Sequence, residues 1–202
     1  MLLKIKHHTN YCYKTTIFPE PQHLYFYPLS RDYLKVIEFT LDVSPNPSGS
    51  ATRLDIESNR YQQCWFNELT DHLTIEVEMV LNIEPYNQFN FLVEEQSKTD
   101  YNKIFEPYLN DKAALSKELS DWANSIENAT PTQFIGELCS KIYEKREHTT
   151  SYEPNLLDPN DCFKAEAASC RDLAWLMIQL LRHNNYPARF VSGYSHNPEI
   201  TG

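Results

Sequence analysis

Apolar and polar residues alternate with period two through most of the first 93 residues. Leu73, Ile75, Val77, Met79, Leu81 and Ile83 alternate with Thr74, Glu76, Glu78, Val80, Asn82 and Glu84. That pattern predicts one long strand with an apolar edge on a core and a mostly polar edge in water. Ile37, Phe39, Leu41 and Val43 alternate with Glu38, Thr40 and Asp42 in the same way, and the run stops at the turn-forming cluster Pro45-Asn46-Pro47-Ser48-Gly49, which places Ile37 on the core edge of a second strand. Shorter strands are expected at 3–6, 10–15, 23–27, 53–56, 61–66 and 90–93. Many strands, regular turns and no helical period predict an antiparallel β-sandwich.

After about Glu95 the period changes from 2 to 3.6, which divides the chain into a β-sandwich domain, 1–95, and a second domain, 96–202, with the polar stretch 94–102 as linker. Leu115, Leu119, Trp122, Ala123 and Ile126 fall at helical spacing. A further helix is expected to start at Thr130, with Pro131 in the first turn and Gln133 where a capping box puts it; its stripe is Phe134, Ile135, Leu138, Cys139, Ile142 and Tyr143. The polar segment 147–164 reads as a long loop, a place where function often lies. Ser169 and Asp172 again have capping-box spacing, ahead of Leu173, Leu176, Met177, Leu180 and Leu181. Trp175, on the same helix, is expected in the core. Asn184 and Asn185 can end this helix, Pro187 prevents its continuing, and 189–194 reads as a strand. The fold class is therefore α+β.

Composition narrows the function. With 18 Lys and Arg against 28 Asp and Glu, the formal charge is −10, and no basic run offers a phosphate backbone the counterion-displacing patch it needs, so no nucleic-acid partner is expected. The longest apolar run, 173–181, is about half of the roughly 20 residues that span a bilayer, and charges interrupt the N-terminal apolar residues at once, so neither a membrane partner nor a signal-peptide core is expected. Five cysteines are widely and irregularly spaced without a C-x-x-C pair; the simplest reading is reduced thiols, no zinc and a cytoplasmic location. His7 and His8 are neighbours on a strand and face opposite ways, which argues against a shared metal. No metal and no cofactor are expected, and the oligomeric state is left open.

One segment carries candidate chemistry. If Ser169 caps, Cys170 is the first residue of a helix, where unpaired backbone N–H groups and the macrodipole favour a thiolate and could hold a developing oxyanion. The same position exposes the sulfur at the end of the helix. Against this stands the general tendency of a free cysteine to be a small buried hydrophobe.

The run Ala168-Ser-Cys170-Arg-Asp172-Leu-Ala174, followed by Arg182-His-Asn-Asn-Tyr-Pro187-Ala-Arg189-Phe-Val191-Ser-Gly193-Tyr194, resembles the cysteine helix and following strand of the bacterial transglutaminase-like proteins, whose pattern is G-x-C-R-D-x-A and then R-x-x-G-x-P-A-R-x-V-S-G-Y. His7-His-Thr9-Asn-Tyr11-Cys-Tyr13 is similar to that family's opening strand, and Asp55-Ile-Glu-Ser-Asn59 stands where it has D-x-x-G-N. The resemblance implies that the sandwich is followed by a papain-like, transglutaminase-like core, here its helical half plus the first core strand. It implies acyl transfer from a peptide or glutamine amide of a peptide or protein substrate, with Cys170 as the nucleophile of a Cys-His-Asp triad. Arg171 and Asp172 fall in the matched motif, where structural support is the expected role, a carboxylate at the helix start satisfying N–H groups with Arg171 or Arg189 as its partner. Ser169 is the cap, Gly193 a permissive backbone beside the site, and Tyr152 and Tyr194 aromatics that line it or pack.

Three family glycines are replaced, by Ser58, Ala168 and Asn185. Asn185 is expected to be tolerated in a left-handed conformation, whereas Ala168 is expected to be strained and to narrow the approach to the sulfur. The family's His and Asp motifs have no counterpart before Gly202, and His148 and His196 are poor substitutes. A truncated or inactive form is therefore expected, the core being C-terminally incomplete. A noncatalytic peptide-binding or scaffold protein with a relic site is the alternative, and redox sensing that pairs Cys162 with Cys170 is a third reading.

Overall fold

The computed structural model describes residues 1–88, 98–110, 112–126, 130–145, 147–151 and 155–196, and the side chains of all of these except 98–102. Two compact units result, Met1–Asn90 and Phe91–Gly202. Tyr152 and the strand expected at 90–93 lie outside the described residues.

The described residues of the first unit form six strands: β1 (Leu2–Ile17), β2 (Gln22–Leu24), β3 (Leu34–Ser44), β4 (Gly49–Leu54), β5 (Arg60–Trp65) and β6 (Thr70–Ile83). They form two antiparallel three-stranded sheets, ordered β1-β6-β3 and β2-β5-β4. The period-two residues of β6 make the centre: Leu73, Ile75, Val77, Met79 and Leu81 are buried and share one core with Leu24, Cys64 and Phe66 of the other layer. Burying each such side chain contributes about 1.5–3 kcal/mol. The two segments expected at 3–6 and 10–15 are one strand, β1, and the strand expected at 53–56 lies earlier, as β4.

Ile37 corrects the sequence reading. Val36 pairs with Leu81 and Glu38 with Val80, so Ile37 is an extra residue opposite one step of β6, a β-bulge. The bulge reverses the phase: Leu34 and Val36 face inward before it, Phe39, Leu41 and Val43 after it, and Ile37 is 56% exposed.

The β4–β5 turn accounts for the Asp55–Asn59 motif. One Asp55 carboxylate oxygen accepts the N–H of Glu57 at 2.9 Å and of Asn59 at 2.8 Å, and the other accepts Asn59 Nδ2–H at 2.9 Å. Ser58, at the family's glycine position, has φ 65°, the left-handed conformation that glycine adopts without steric cost.

The second unit contains α1 (Lys98–Leu109), α2 (Lys117–Asn124), α3 (Pro131–Lys145), β7 (Glu147–Thr149), α4 (Pro159–Lys164), β8 (Ala167–Ser169) and α5 (Cys170–His183). Helix α1 takes in residues 98–102 of the expected linker. Its polar sequence and internal Pro107 hide it from a periodicity search, because proline is a poor helix interior residue. The expected loop at 147–164 contains β7, which pairs in parallel with β8, and α4. Fully buried Leu119, Leu138, Leu176 and Leu180 join α2, α3 and α5 into one core with Phe134, Cys162 and Phe163. On α3 only the row Phe134, Leu138, Ile142 is buried, and Ile135, Cys139 and Tyr143 are exposed, so the buried stripe is narrower than the pattern suggests. No helix among the described residues is long and apolar enough to cross a membrane.

Candidate functional site

Helix α5 begins as its sequence dictates. Ser169, the N-cap, has extended backbone angles of φ −75° and ψ 159°. Its Oγ accepts the Asp172 N–H at 3.3 Å, and Asp172 Oδ2 accepts the Ser169 N–H at 3.2 Å, completing the reciprocal capping box. Ser169 Oγ–H also donates to Asp172 Oδ2. Cys170 is therefore the first helical residue, a position whose N–H has no intrahelical carbonyl to bond, and its side chain is exposed with a free thiol.

Asp172 is 4% exposed. Burial by itself would raise its carboxyl. The Ser169 hydroxyl, the backbone N–H groups of Leu157 and Ser169, and the Arg171 charge together outweigh that and hold it below the usual carboxylate range. The Leu157 N–H reaches Asp172 Oδ1 at 3.0 Å, and Arg171 Nη2 donates to the Asn155 carbonyl at 3.3 Å. Arg171, not Arg189, is thus the cation beside Asp172; the Arg189 guanidinium lies 5.9 Å from the centre of the Tyr108 ring.

Ala168 is not strained. It is a buried residue of β8, and among the described non-glycine residues only Ser58 and Asn185 have positive φ. The expected narrowing had assumed a left-handed residue, and an extended alanine in a strand needs none. Asn185, at φ 61°, ends α5 in a Schellman motif: its N–H donates to the Arg182 carbonyl at 3.0 Å and the Tyr186 N–H to the Leu181 carbonyl at 2.9 Å.

Residues 186–196 form no regular element. The strand expected at 189–194 is absent there because a strand is defined by its ladder, and none of the described strands pairs with this stretch. Gly193 has no positive φ, and a Cβ built on it would meet nothing within 4 Å, so no special backbone freedom is required of it. Tyr194 is half exposed, and partial burial pushes its phenol upward. Trp175 is half-buried with the Arg182 guanidinium 5.9 Å from its ring centre, outside the expected core position.

Sequence reasoning missed Arg182 and Gln179. Arg182 Nε and Nη2 donate to the Ala188 carbonyl at 3.1 and 2.9 Å, and Nη1 to the Asn110 carbonyl at 3.0 Å. Gln179, fully buried, accepts the Ala113 N–H at 2.7 Å. The signal was a polar residue at a core-facing helix position, which is costly unless its hydrogen bonds are met.

His148 lies on β7 opposite Ala168, and His196 in the irregular segment 186–196. Among the described residues no histidine hydrogen-bonds the Cys170 sulfur. Cys162 is 0% exposed in the helical core, which does not suit it to serve as a resolving thiol. Among the described residues no three His, Cys, Asp or Glu side chains cluster as metal ligands.

Two antiparallel sheets followed by a helical unit with an exposed cysteine at a capped helix start define the class as a mixed α+β protein. Residues 3–82 match the family model for the bacterial transglutaminase-like N-terminal region, and residues 120–201 match that for the transglutaminase-like superfamily. The chain belongs to the transglutaminase-like superfamily, with the bacterial N-terminal region ahead of its core. Among solved structures it is similar to a "putative cysteine protease" from Cytophaga hutchinsonii, at 17% identity and a TM-score of 0.61, over 93% of this chain and 67% of that one. That likeness is one of fold. No curated protein matches the chain.

Proposed function

We propose that Cys170 is the nucleophile of an acyl-transfer reaction on a peptide or glutamine amide. The observation that carries this is the exposed thiol at the first position of α5, behind a buried capping box. The sulfur attacks the amide carbonyl, the C–S bond forms and the C–N bond breaks, and the thiol proton leaves on the departing amine. Water or a primary amine then cleaves the thioester and returns a proton to sulfur. Hydrolysis is favoured over cross-linking, since nothing in the sequence specifies an amine site. Among the described residues no imidazole bonds the sulfur, and amide turnover needs a general acid that protonates the leaving amine.

The Cys170 thiol, with no histidine bonded to it among the described residues, also fits a second reading, a noncatalytic peptide-binding or scaffold protein with a relic site. Both are tested by expressing the full natural reading frame and following new amino termini and released ammonia from glutamine-containing peptides, with and without a primary amine. Turnover that disappears in Cys170→Ala supports acyl transfer. Turnover that survives Cys170→Ala overturns it, and peptide binding without turnover selects the second reading.

A further inference from the structure

We infer that the margin of the sandwich between β3 and the β4–β5 pair binds an apolar carboxylate, a compound with a hydrocarbon or aromatic body and one carboxylate group. A cavity of about 410 Å³ opens there, within the range of roughly 300–1,000 Å³ that holds small ligands. It lies wholly within the first unit, so its occupancy and the acyl-transfer reading stand or fall separately. The two layers line it unequally. From β3 come Phe39, Leu41 and Val43, the apolar row that follows the bulge. From the other layer come Ser50, Gln62 and Arg60. Alternation puts these three on the face of buried Cys64: Ser50 pairs with Cys64 across the ladder, and Gln62 and Arg60 precede it at alternate positions of β5. Polar side chains opposite an apolar row resist burial against it, which keeps the layers from closing at this margin.

The polar wall presents donors. The Thr52 hydroxyl donates to Gln62 Oε1 at 3.0 Å, which engages the amide oxygen and leaves the NH2 group to donate. The Arg60 guanidinium lies 4.1 Å from the centre of the Tyr27 ring, and Tyr27 in turn meets Phe39 edge to face at 4.9 Å. These contacts hold the cation at the end of the apolar row. No ion pair among the described residues occupies Arg60. A guanidinium on an aromatic ring keeps its fork of N–H groups for a carboxylate, which it bonds in two parallel contacts. Asp42, at the same mouth, belongs to the alternate positions of β3 that face away, across the ladder from Glu76. The lining side chains that face inward therefore carry one formal charge, and it is positive. A neutral or cationic ligand leaves the donors short of an acceptor. A carboxylate supplies it, and an apolar body attached to that carboxylate takes Phe39 and Leu41 out of water.

The test titrates the isotope-labelled full chain with 3-phenylpropionate, its neutral amide 3-phenylpropanamide, acetate, and N-acetylphenylalanine as a mimic of a peptide C-terminus. Backbone amide shifts of β3, β4 and β5 are followed by NMR. 3-Phenylpropionate should bind at least about tenfold more tightly than its amide, which lacks the charge, and at least about tenfold more tightly than acetate, which lacks the body. Arg60→Gln, at an exposed position, should abolish the preference for acid over amide, and Arg60→Lys should retain part of it. The comparison of acid with amide needs no variant, so it decides the matter even where a substitution disturbs folding. Both orders of N-acetylphenylalanine and 3-phenylpropionate support the site: the first binding tighter assigns a peptide C-terminus, the second a free acid. Equal affinity for acid and amide, an unchanged preference in a folded Arg60→Gln, shifts confined to residues outside the cavity, or no shift at millimolar concentration overturns it.

Discussion

Replacing Asp172 by asparagine preserves shape and removes charge at the point where the capping box, the start of the Cys170 helix and the Leu157 backbone meet. Three donors converge on this carboxylate: the Ser169 N–H at 3.2 Å, the Ser169 hydroxyl, and the Leu157 N–H at 3.0 Å. An asparagine keeps one acceptor oxygen and presents an NH2 group to the remaining donors, so at least one buried N–H loses its partner. Hydrogen bonds to a charged group contribute about 1.5–3 kcal/mol, and loss of a capping interaction costs about 0.5–2 kcal/mol. The expected destabilisation of the second unit at neutral pH is therefore about 3 kcal/mol. The pH dependence has a definite sign. A carboxyl held low by folding stabilises fully above the ordinary aspartate pKa of about 3.9 and loses that stabilisation as pH falls through its folded value. The gap between the native protein and Asp172→Asn should be constant from pH 7 to about pH 4 and shrink below it. Native-state hydrogen exchange reads this residue by residue: α5 amides report the stability of the second unit, and the Leu157 amide should exchange faster in the variant. A loss under about 1 kcal/mol at neutral pH, or a gap that persists unchanged at pH 2.5, would refute the assignment of Asp172 as the electrostatic anchor.

Ser58 and Asn185, both at positive φ, separate by chemistry. Ser58→Gly should raise stability by about 0.5–1 kcal/mol, whereas Asn185→Ala should lower it by about 1 kcal/mol by placing an ordinary side chain in the left-handed region; urea unfolding measures both. Arg182→Lys loses the two-pronged grip on the Ala188 carbonyl and should cost about 1–3 kcal/mol, seen as faster exchange at Ala188. Under native conditions a neutral alkylating reagent should modify Cys12, Cys139 and Cys170 and spare Cys64 and Cys162; burial also pushes the Cys64 thiol upward, slowing it further. Peroxide treatment followed by nonreducing peptide mapping should show no Cys162–Cys170 disulfide.

The sandwich was legible because β6 alternates without interruption and every second residue meets the same core. At β3 the same rule failed at one residue, since the composition around Ile37 carries no mark of a bulge and one inserted position reverses the face of everything before it. Helix starts were legible where a side chain does the capping, as Ser169 and Asp172 do, and α1 was missed because Pro107 and a polar run replace the usual stripe. The family's glycine positions were read with partial success. Those at Ser58 and Asn185 mark left-handed turns, while the one at Ala168 lies in a strand, and only backbone angles distinguish them. The links from Asp172 to Leu157 and from Arg182 to Ala188 cross loops whose path no local pattern encodes.

The most direct measurement of the central claim is the trapping of an acyl group on the sulfur. With a p-nitrophenyl ester as donor, the ester C–O bond breaks, the S–C bond forms and nitrophenolate departs without needing a proton, so the nucleophile is tested apart from any general acid. The account predicts a hydroxylamine-sensitive thioester that peptide mapping places on Cys170 and that is absent from Cys170→Ala. An adduct that forms no faster on Cys170 than on exposed Cys12 and Cys139, or that persists in Cys170→Ala at the same rate, would contradict it.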